Sequence, residues 1–265
     1  MIKIGFIGTG NMAKALIRNI KNADNCCIIA SDKNQDKLSK AEKELEISTT
    51  KSNKELAQES EIIFLCVKPK DIAAVLEEIR EIAENKVIIS IAAGVKISSI
   101  EKIIGNDRKV VRVMPNVNCI VGETAAAYSL NKNIRNKDKE IINKLLNSAG
   151  LALEINEEKM DAVTALSGSG PAFVAFLIDI FVNAGIKYGL SKEDSYKLAV
   201  QTFYGTGSLL KKKKITIEKL IEMVSSPGGT TVAGREVLED SDINKIIDKT
   251  IEAAIKRSKE LGKNG

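Results

Sequence analysis

The first 155 residues alternate short apolar runs with longer stretches in which apolar residues recur every three or four positions. Continuous runs of Val, Ile and Leu are typical of parallel strands buried on both faces, and the longer stretches are typical of amphipathic helices. The predicted strands are Lys3–Ile7, Cys26–Ser31, Ile62–Val67, Val87–Ile91, Lys109–Met114, Thr124–Ser129 and Leu151–Ile155. The predicted helices between them are Met12–Ile20, Gln35–Leu45, Asp71–Ile82, Ile97–Ile104 and Lys137–Ser148. The alternation predicts right-handed βαβ units in a doubly wound, Rossmann-type α/β domain over residues 1–157.

From residue 158 to residue 265 the pattern predicts helices alone, and hence a second, all-α domain. The predicted helices are Met160–Leu166, Pro171–Tyr188, Ser191–Leu210, Thr216–Val224, Thr230–Leu238 and Ile243–Leu261. Ser191, with Asp194 three residues later, is typical of a helix N-cap, and Gly189 can end the preceding helix.

The helix from Pro171 is apolar on nearly every side, which is unusual for a helix on the surface of a monomer. Its apolar run is interrupted by Asp179 and Asn183 and is short for a membrane span, so we predict a buried helix. Either other helices of the chain or a second subunit can cover it. We favour a homodimer formed through the helical domain.

Composition narrows the classes of function. The net charge is +5, but basic and acidic residues intermingle, aromatic residues are only 4% and Trp is absent, which argues against a nucleic-acid-binding protein. The one dense basic run, Lys211 to Lys214, is predicted as an exposed loop between helices. The four cysteines form no Cys-x-x-Cys pair and no signal peptide is evident, which favours reduced thiols in a cytoplasmic protein.

The chain contains no histidine. Histidine is the most common general base and metal ligand, and it activates most Ser and Cys nucleophiles. Any chemistry must therefore use hydroxyls, lysines, carboxylates, backbone N–H groups or a cofactor, and we predict no metal site.

A glycine-rich turn lies between the first predicted strand and the first predicted helix. Gly8 permits the tight turn, Gly10 allows a pyrophosphate to approach the backbone, and Ala13 permits close packing of helix on strand. This position in a βαβ unit predicts a dinucleotide site, with Thr9, Asn11 and Met12 as further cofactor-binding residues.

The end of the second strand bears on which dinucleotide binds, and here it reads Ser31-Asp32-Lys33. An acid at this position can bind the ribose 2′-OH of NAD, whereas a cation with a hydroxyl can bind the 2′-phosphate of NADP. If Ser31 and Lys33 point inward and Asp32 points outward, NADPH is preferred. We favour NADPH on this basis, with NADH as the alternative.

A second stretch rich in glycine and hydroxyl residues, Ser225 to Thr231, leads into the predicted helix Thr230–Leu238 and includes its first two residues. The free N–H groups at a helix N-terminus attract anions, and the serine and threonine hydroxyls can bind a small polar ligand. A plain helix cap is the structural alternative. Because this turn accompanies a nucleotide-type turn, the two together indicate an enzyme with two ligands.

Over essentially its whole length, the chain resembles pyrroline-5-carboxylate reductase, the enzyme that makes proline. The resemblance is carried by the N-terminal glycine turn and by Cys66-Val67-Lys68-Pro69, Ser90-Ile91-Ala92-Ala93-Gly94-Val95, Arg112-Val113-Met114-Pro115-Asn116, Leu166-Ser167-Gly168-Ser169-Gly170-Pro171-Ala172 and Ser226-Pro227-Gly228-Gly229-Thr230-Thr231. It implies reduction of a cyclic imine carboxylate by NAD(P)H, and dimers with interlocked helical domains that assemble further in some members.

The resemblance also implies roles for individual residues. Dinucleotide-binding residues would include Asn53, Val67, Lys68, Ala93 and Asn116, and substrate-binding residues would be Ser226, Gly228, Gly229, Thr230 and Thr231. Thr231 would be the catalytic hydroxyl that hydrogen-bonds the imine nitrogen.

The chain departs from the family pattern twice. Val117-Asn118-Cys119 stands where most relatives have Thr-Pro-Ala, and Phe173 stands where they have Tyr. Both departures lie near the expected cleft and bear on fine substrate preference more than on the type of reaction.

The sequence leaves open a relative that reduces another cyclic imine carboxylate, and two further classes of function are alternatives. A β-hydroxyacid dehydrogenase would place a catalytic lysine on the helix after the second glycine motif, but Ala172–Leu177 contains no lysine. Reduction of a ketone also usually needs a stronger acid than a hydroxyl, often His or Lys. A nucleotide-sensing protein without catalysis would show loss of one turn, yet both turns are intact.

Overall fold

The computed structural model describes residues 1–22 and 26–263, and the first part of the chain forms one eight-stranded sheet. The strands are β1 (Ile2–Ile7), β2 (Cys26–Ser31), β3 (Ser48–Thr50), β4 (Ile62–Leu65), β5 (Val87–Ser90), β6 (Lys109–Met114), β7 (Thr124–Leu130) and β8 (Gly150–Glu154). Every predicted strand is present, with small shifts at the ends. The short polar strand β3 was not predicted.

Six helices accompany the sheet: α1 (Asn11–Lys21), α2 (Gln35–Leu45), α3 (Asn53–Glu59), α4 (Ile72–Ile79), α5 (Ile97–Ile104) and α6 (Asn136–Asn147). The short helix α3 was not predicted. The helix expected over Asp71–Ile82 is shorter, because Pro69–Asp71 forms a separate 3₁₀ turn before it.

The strand order is β3-β2-β1-β4-β5-β6-β7-β8, and all pairs are parallel except β6 with β7. This confirms the Rossmann-type α/β domain, with one antiparallel pair that the sequence did not indicate. The order reverses between β1 and β4, because β2 and β3 lie on one side of β1 and the later strands lie on the other. In doubly wound sheets, ligands bind outside the carboxyl ends of the strands at such a reversal.

The two faces of the sheet bury separate hydrophobic clusters. Ile4 and Phe6 of β1 join the cluster that includes α1 and α6, and Ile7 joins the cluster that includes α4 and α5. Phe6 and Phe64 stack with ring centroids 4.6 Å apart on adjacent strands. The carboxyl ends of β1 and β4 are therefore held by packing on both faces.

After β8 the described chain is helical, which agrees with the predicted all-α region. The helices are α7 (Met160–Val163), α8 (Gly170–Lys187), α9 (Lys192–Lys213), α10 (Ile217–Val224), α11 (Thr230–Glu239) and α12 (Ile243–Lys263), with a π-turn over Thr164–Gly168. By compactness the chain divides into one unit of residues 1–169 with 253–265 and another of residues 170–252. The predicted boundary at 157/158 instead follows the change from strands to helices, and it remains a prediction. Residues 264 and 265 of the predicted second domain lie outside the described residues.

The ends of α9 confirm one prediction and contradict another. The Ser191 hydroxyl accepts a hydrogen bond from the Asp194 amide at 3.0 Å, as expected for an N-cap. The predicted loop at Lys211–Lys214 is wrong, because Lys211 to Lys213 form the last turn of α9 and Lys214 caps it with φ = 51°. Cations at a helix C-terminus are favourable, which explains why this basic run remains helical.

Helix α8 is not buried within the single chain, so the predicted burial would have to come from a second subunit. Of its residues only Val182 is buried, while Phe176 is 66% and Phe181 54% exposed. By length and composition alone, the helical run 157–187 could cross a membrane. A large exposed apolar surface of this kind is typical of a protein–protein or membrane contact.

Candidate functional site

The turn after β1 admits only glycine at its first position. Gly8 has φ = +100°, and a Cβ there would lie 2.7 Å from the carbonyl oxygen of Cys66. Its amide donates to the Ser31 carbonyl at 2.7 Å. Gly8 therefore joins the ends of β1, β2 and β4.

Gly10 differs, because a Cβ on it would meet no atom within 4 Å. Gly10 is the N-cap of α1, and no side chain caps the helix there. The first N–H groups of α1, from Asn11 and Met12 onward, are thus available to an anion.

Asp32 is directed into the glycine turn. One carboxylate oxygen accepts from the Thr9 amide at 2.8 Å and from the Thr9 hydroxyl at 2.9 Å, and the other accepts from the Asn34 amide at 2.9 Å. Partial burial acts to raise the pKa of Asp32, but the hydrogen bonds from Asn34 and Thr9 outweigh it and lower the pKa below its ordinary value. The carboxylate is therefore ionised at neutral pH.

The arrangement predicted to favour NADPH has Asp32 pointing outward and Lys33 pointing inward. The structure shows a different arrangement. Asp32 points inward because Thr9 offers it two donors. The Lys33 side chain is 81% exposed, and its amine lies 3.1 Å from the Asp71 carboxylate. Ser31 is buried, and its hydroxyl donates to Asn53 Oδ1 at 2.7 Å, so its contact with the cofactor stays a prediction.

A cavity of about 630 Å³ opens at the carboxyl ends of β1 and β4. Six residues of the predicted cofactor site line it, namely Gly8, Gly10, Lys33, Asn53, Val67 and Lys68. Further lining residues not assigned from the sequence are Ile7, Asp32, Lys37, Cys66, Lys70, Asp71, Ala74, Val75 and Glu78. Four of the residues that line the cavity are lysines, and they suit a phosphate-bearing ligand: Lys33, Lys37, Lys68 and Lys70. The helix predicted over Asp71–Ile82 supplies this wall as α4, but the sequence did not indicate that its side chains reach the cavity.

The other predicted cofactor residues do not line this cavity. Thr9 and Ser31 lie just behind it, and Ala93 is exposed on the loop after β5. Asn116 is buried, and its side chain donates to the Ser167 carbonyl at 3.0 Å and accepts from Thr124 Oγ1 at 3.1 Å. The amide of Asn116 therefore ties the chain after β6 to the π-turn.

Sequence reasoning missed a charged network beside the loop that follows β5. The Glu157 carboxylate accepts from the amide of Ile97, the first residue of α5, at 2.8 Å. The same oxygen lies 3.1 Å from the guanidinium of Arg112, which is buried on β6. Glu157 thus fixes the end of the loop at residues 91–96.

The second predicted site is the turn that joins α10 to α11. Gly228 has φ = +70°, and a Cβ on Gly229 would lie 2.6 Å from Ser226 Oγ and 2.9 Å from its carbonyl oxygen. Helix α11 starts at Thr230 without a side-chain cap. Ser226, Thr230 and Thr231 are exposed. The turn therefore offers hydroxyls beside a free helix N-terminus, which suits a small anion.

Two of the cysteines are poor nucleophiles. Cys66 lines the cavity, and burial raises the pKa of its thiol. Burial raises the pKa of Cys119 to about 11, despite a hydrogen bond from Asn19. In contrast, Cys27 is exposed. Within the described residues, no group of three or more His, Cys, Asp or Glu is placed to hold a metal ion.

Comparison with known proteins identifies relatives along the whole chain. A family model described as pyrroline-5-carboxylate reductase dimerisation matches residues 157–261, and one described as NADP oxidoreductase, coenzyme F420-dependent, matches residues 3–94. The pyrroline-5-carboxylate reductase of Aquifex aeolicus is 38% identical over 98% of this chain and 97% of its own.

Two solved structures are similar over nearly the full length. The pyrroline-5-carboxylate reductase of Coxiella burnetii superposes with a TM-score of 0.93 at 31% identity, covering 97% of each chain. The pyrroline carboxylate reductase of Plasmodium falciparum, with NADP bound, superposes with a TM-score of 0.85 at 37% identity, covering 98% of each chain.

Proposed function

The chain belongs to the pyrroline-5-carboxylate reductase family of oxidoreductases, and we propose that it reduces 1-pyrroline-5-carboxylate to L-proline with NAD(P)H as the last step of proline biosynthesis. The observation that carries this proposal is the cavity at the β1–β4 reversal, in a chain that also presents the exposed turn before α11. The first feature suits a dinucleotide and the second a small carboxylate. The proposal therefore gives each turn one ligand.

The cavity residues fit a nicotinamide dinucleotide. A side chain at Gly8 would collide with Cys66, whereas the space beside Gly10 is open, as a pyrophosphate against the backbone requires. The uncapped N-terminus of α1 would hold the pyrophosphate, Asp32 and Asn53 would lie toward the adenosine ribose, and Val67 and Lys68 would line the other half. Bound there, the reduced nicotinamide supplies a hydride to the imine carbon.

The residues before α11 would hold and orient the substrate. The free N–H groups at the start of α11, with Ser226, Gly228, Gly229 and Thr230, would bind the substrate carboxylate. The Thr231 hydroxyl would hydrogen-bond the imine nitrogen, which gains a proton from solvent or arrives protonated. Orientation by these groups contributes much of the rate, and no histidine is needed.

Two observations bear on the choice between NADPH and NADH, and they favour different cofactors. The P. falciparum relative binds NADP, which supports NADPH here. The inward carboxylate of Asp32 lies where it can accept from a ribose 2′-OH and would repel a 2′-phosphate, which supports use of NADH as well. We propose NADPH as the preferred cofactor and NADH as a second, usable one.

We also propose that the protein is a cytoplasmic homodimer formed through the helical region. Residues 157–261 match a dimerisation family, and α8 exposes large apolar side chains such as Phe176 and Phe181. Burial in a dimer is the cover that this surface requires, rather than a membrane. Pairing would bring the turn before α11 of one subunit across from the dinucleotide.

The direct test is an assay panel of five- and six-membered cyclic imine carboxylates, each with NADPH and with NADH. We expect loss of nicotinamide absorbance matched by formation of proline from the five-membered imine, and less turnover of the six-membered one. Failure to reduce any cyclic imine, with dinucleotide still bound, would instead favour a nucleotide-sensing protein.

A further inference from the structure

The C-terminal end of α12 touches the loop that follows β5 through two glycines. A Cβ on Gly262 would lie 3.2 Å from the Gly94 carbonyl oxygen. A Cβ on Gly94 would lie 3.2 Å from the Gly262 nitrogen and 3.3 Å from its Cα, and Gly94 has φ = +79°. The two backbones therefore meet closely, and a side chain on either residue would push the other segment away by a few tenths of an ångström.

A buried hydrogen bond anchors this end of α12 one turn earlier. The Ser258 hydroxyl donates to Asp161 Oδ1 at 2.6 Å, and Ser258 is 6% exposed. Asp161 lies in α7, which follows the Glu157 turn. Because both α12 contacts fall within the first unit, the helix end and the loop are held in one compact body.

The same loop is fixed at its other side by Glu157, whose carboxylate accepts from the Ile97 amide. Residues 91–96 thus run between two fixed points: the Glu157 contact at the start of α5 and the Gly262 contact in the middle of the loop. A displacement at Gly94 must move its neighbours Ala93 and Val95, since the end at Ile97 is held.

The position of the loop along the sheet edge indicates which half of a dinucleotide it would meet. Asp32, at the end of β2, marks the adenosine side of the β1 turn. The nicotinamide half must then extend the opposite way, over the carboxyl ends of β4 and β5. The loop at residues 91–96 follows β5 directly, so it lies on the nicotinamide side.

We propose that Gly262 is a positioning residue for the nicotinamide half of the cofactor, acting through the backbone of Gly94. Its lack of a side chain lets the end of α12 press against the loop and set the position of Ala93. This role rests on the proposed dinucleotide site and adds the end of α12 to it.

The test compares Gly262→Ala and Gly262→Val with Lys259→Ala, which changes an exposed side chain on the same helix. The dissociation constant of NADPH is measured without substrate, followed by kcat, the KM for the imine and the melting temperature. In Gly262→Val we expect the dinucleotide Kd to rise, and kcat to fall, by about five- to tenfold, since small misplacements near reacting atoms are costly. Gly262→Ala should show a smaller shift, whereas the KM for the imine and the melting temperature should stay close to wild type, as should every value for Lys259→Ala.

Ser258→Ala is a second variant, which removes the hydrogen bond to Asp161 without adding bulk. We expect the dinucleotide Kd to rise and kcat to fall by about twofold. Unchanged dinucleotide Kd and kcat in Gly262→Val would overturn the proposal. It would also be overturned if the Kd, the imine KM and the melting temperature all worsened together, since that pattern reports general loss of packing. The Kd measurement needs no turnover, so a wild type that binds dinucleotide but reduces no imine would refute the proposed function while leaving this test intact.

Discussion

The two glycine-rich turns of this molecule differ in how completely the chain surrounds them. At the first turn, Gly8 lies against Cys66, Thr9 holds Asp32, and a cavity of about 630 Å³ is formed by residues of one unit. At the second turn, Thr230 and Thr231 are exposed and no side chain caps α11. A single chain therefore builds a well-lined cavity at the first turn, whereas the hydroxyls of the second turn are exposed.

This difference predicts which functions need a partner subunit. Dinucleotide binding should depend on the first unit alone, because its polar groups already have partners there. Imine reduction should depend on a dimer, because Thr230 and Thr231 are exposed in the single chain and α8 leaves apolar side chains uncovered.

The strongest test of this comparison is Phe176→Glu on the exposed face of α8. A charge buried in a subunit interface is costly, so we expect sedimentation to show monomers and kcat/KM to fall by about a hundredfold or more. The dinucleotide Kd should stay within about twofold of wild type, since the cavity is lined by residues of the first unit and Phe176 belongs to the second. Phe176→Leu is the matched control and should remain dimeric, and a fully active monomeric Phe176→Glu would show that the second site needs no partner.

The next largest effect is expected at Gly10. In Gly10→Val the side chain would occupy the open space beside the turn, so we expect the dinucleotide Kd to rise about a hundredfold, or about 2.7 kcal/mol. The melting temperature should fall less than in a variant at Gly8, because among the described residues only the chain neighbours of Gly10 lie within 4 Å of the added Cβ.

Gly8→Ala is the contrasting variant. Its left-handed φ and contact with Cys66 should cost at least about 1 to 2 kcal/mol of folding stability, visible as a lower melting temperature. If both variants lowered stability equally, the distinction between a structural and a ligand-facing glycine would be wrong.

A tenfold effect is expected from Thr231→Val at the second turn. Loss of the hydroxyl should lower kcat/KM by about tenfold, or about 1.4 kcal/mol, without changing the dinucleotide Kd. Thr250→Val is a suitable control, since the Thr250 hydroxyl bonds only the Ile246 carbonyl within α12 among the contacts seen. Wild-type kinetics in Thr231→Val would assign this residue to packing.

The smallest effect concerns Asp32. Because its carboxylate repels a 2′-phosphate, Asp32→Asn should raise the ratio of kcat/KM for NADPH to that for NADH by about three- to tenfold. An unchanged ratio would place the ribose beyond the reach of Asp32.

The pH dependence of stability gives a second measurement on the same variant. The pKa of Asp32 is lowered in the fold from an ordinary value of 3.8, so its ionised form stabilises the protein above that pH. This contribution is lost as the pH falls through the lower, folded-state pKa. The difference in melting temperature between wild type and Asp32→Asn should therefore shrink below about pH 4.

Much of the fold could be predicted from the sequence because strands buried on both faces are continuous apolar runs. The exceptions have a clear cause. Strand β3 consists of three polar residues at the sheet edge and pairs only with β2, and α3 buries only Leu56 and Ala57. Neither element has enough apolar residues to produce a periodic pattern.

Site residues could be predicted where the local backbone geometry determines their position. They could not be predicted where contacts between distant segments determine it. The position of Gly8 follows from a strand–turn–helix pattern, whereas the direction of Asp32 depends on Thr9, more than twenty residues earlier in the chain. Likewise, Asp71 and Glu78 reach the cavity only because α4 packs beside β4. The contact between Gly94 and Gly262 joins distant segments and leaves no local pattern.

The contrast between Cys66 and Cys27 has a practical consequence for labelling. The thiol of Cys66 is half-buried and its pKa is raised, so it should react slowly with maleimides, whereas the exposed Cys27 offers a labelling site on β2. A fluorophore coupled to Cys27 would report on subunit assembly or rotational diffusion, and it would leave the cavity free. Protection of Cys66 from slower alkylating reagents could, in turn, gauge how fully the cavity is filled.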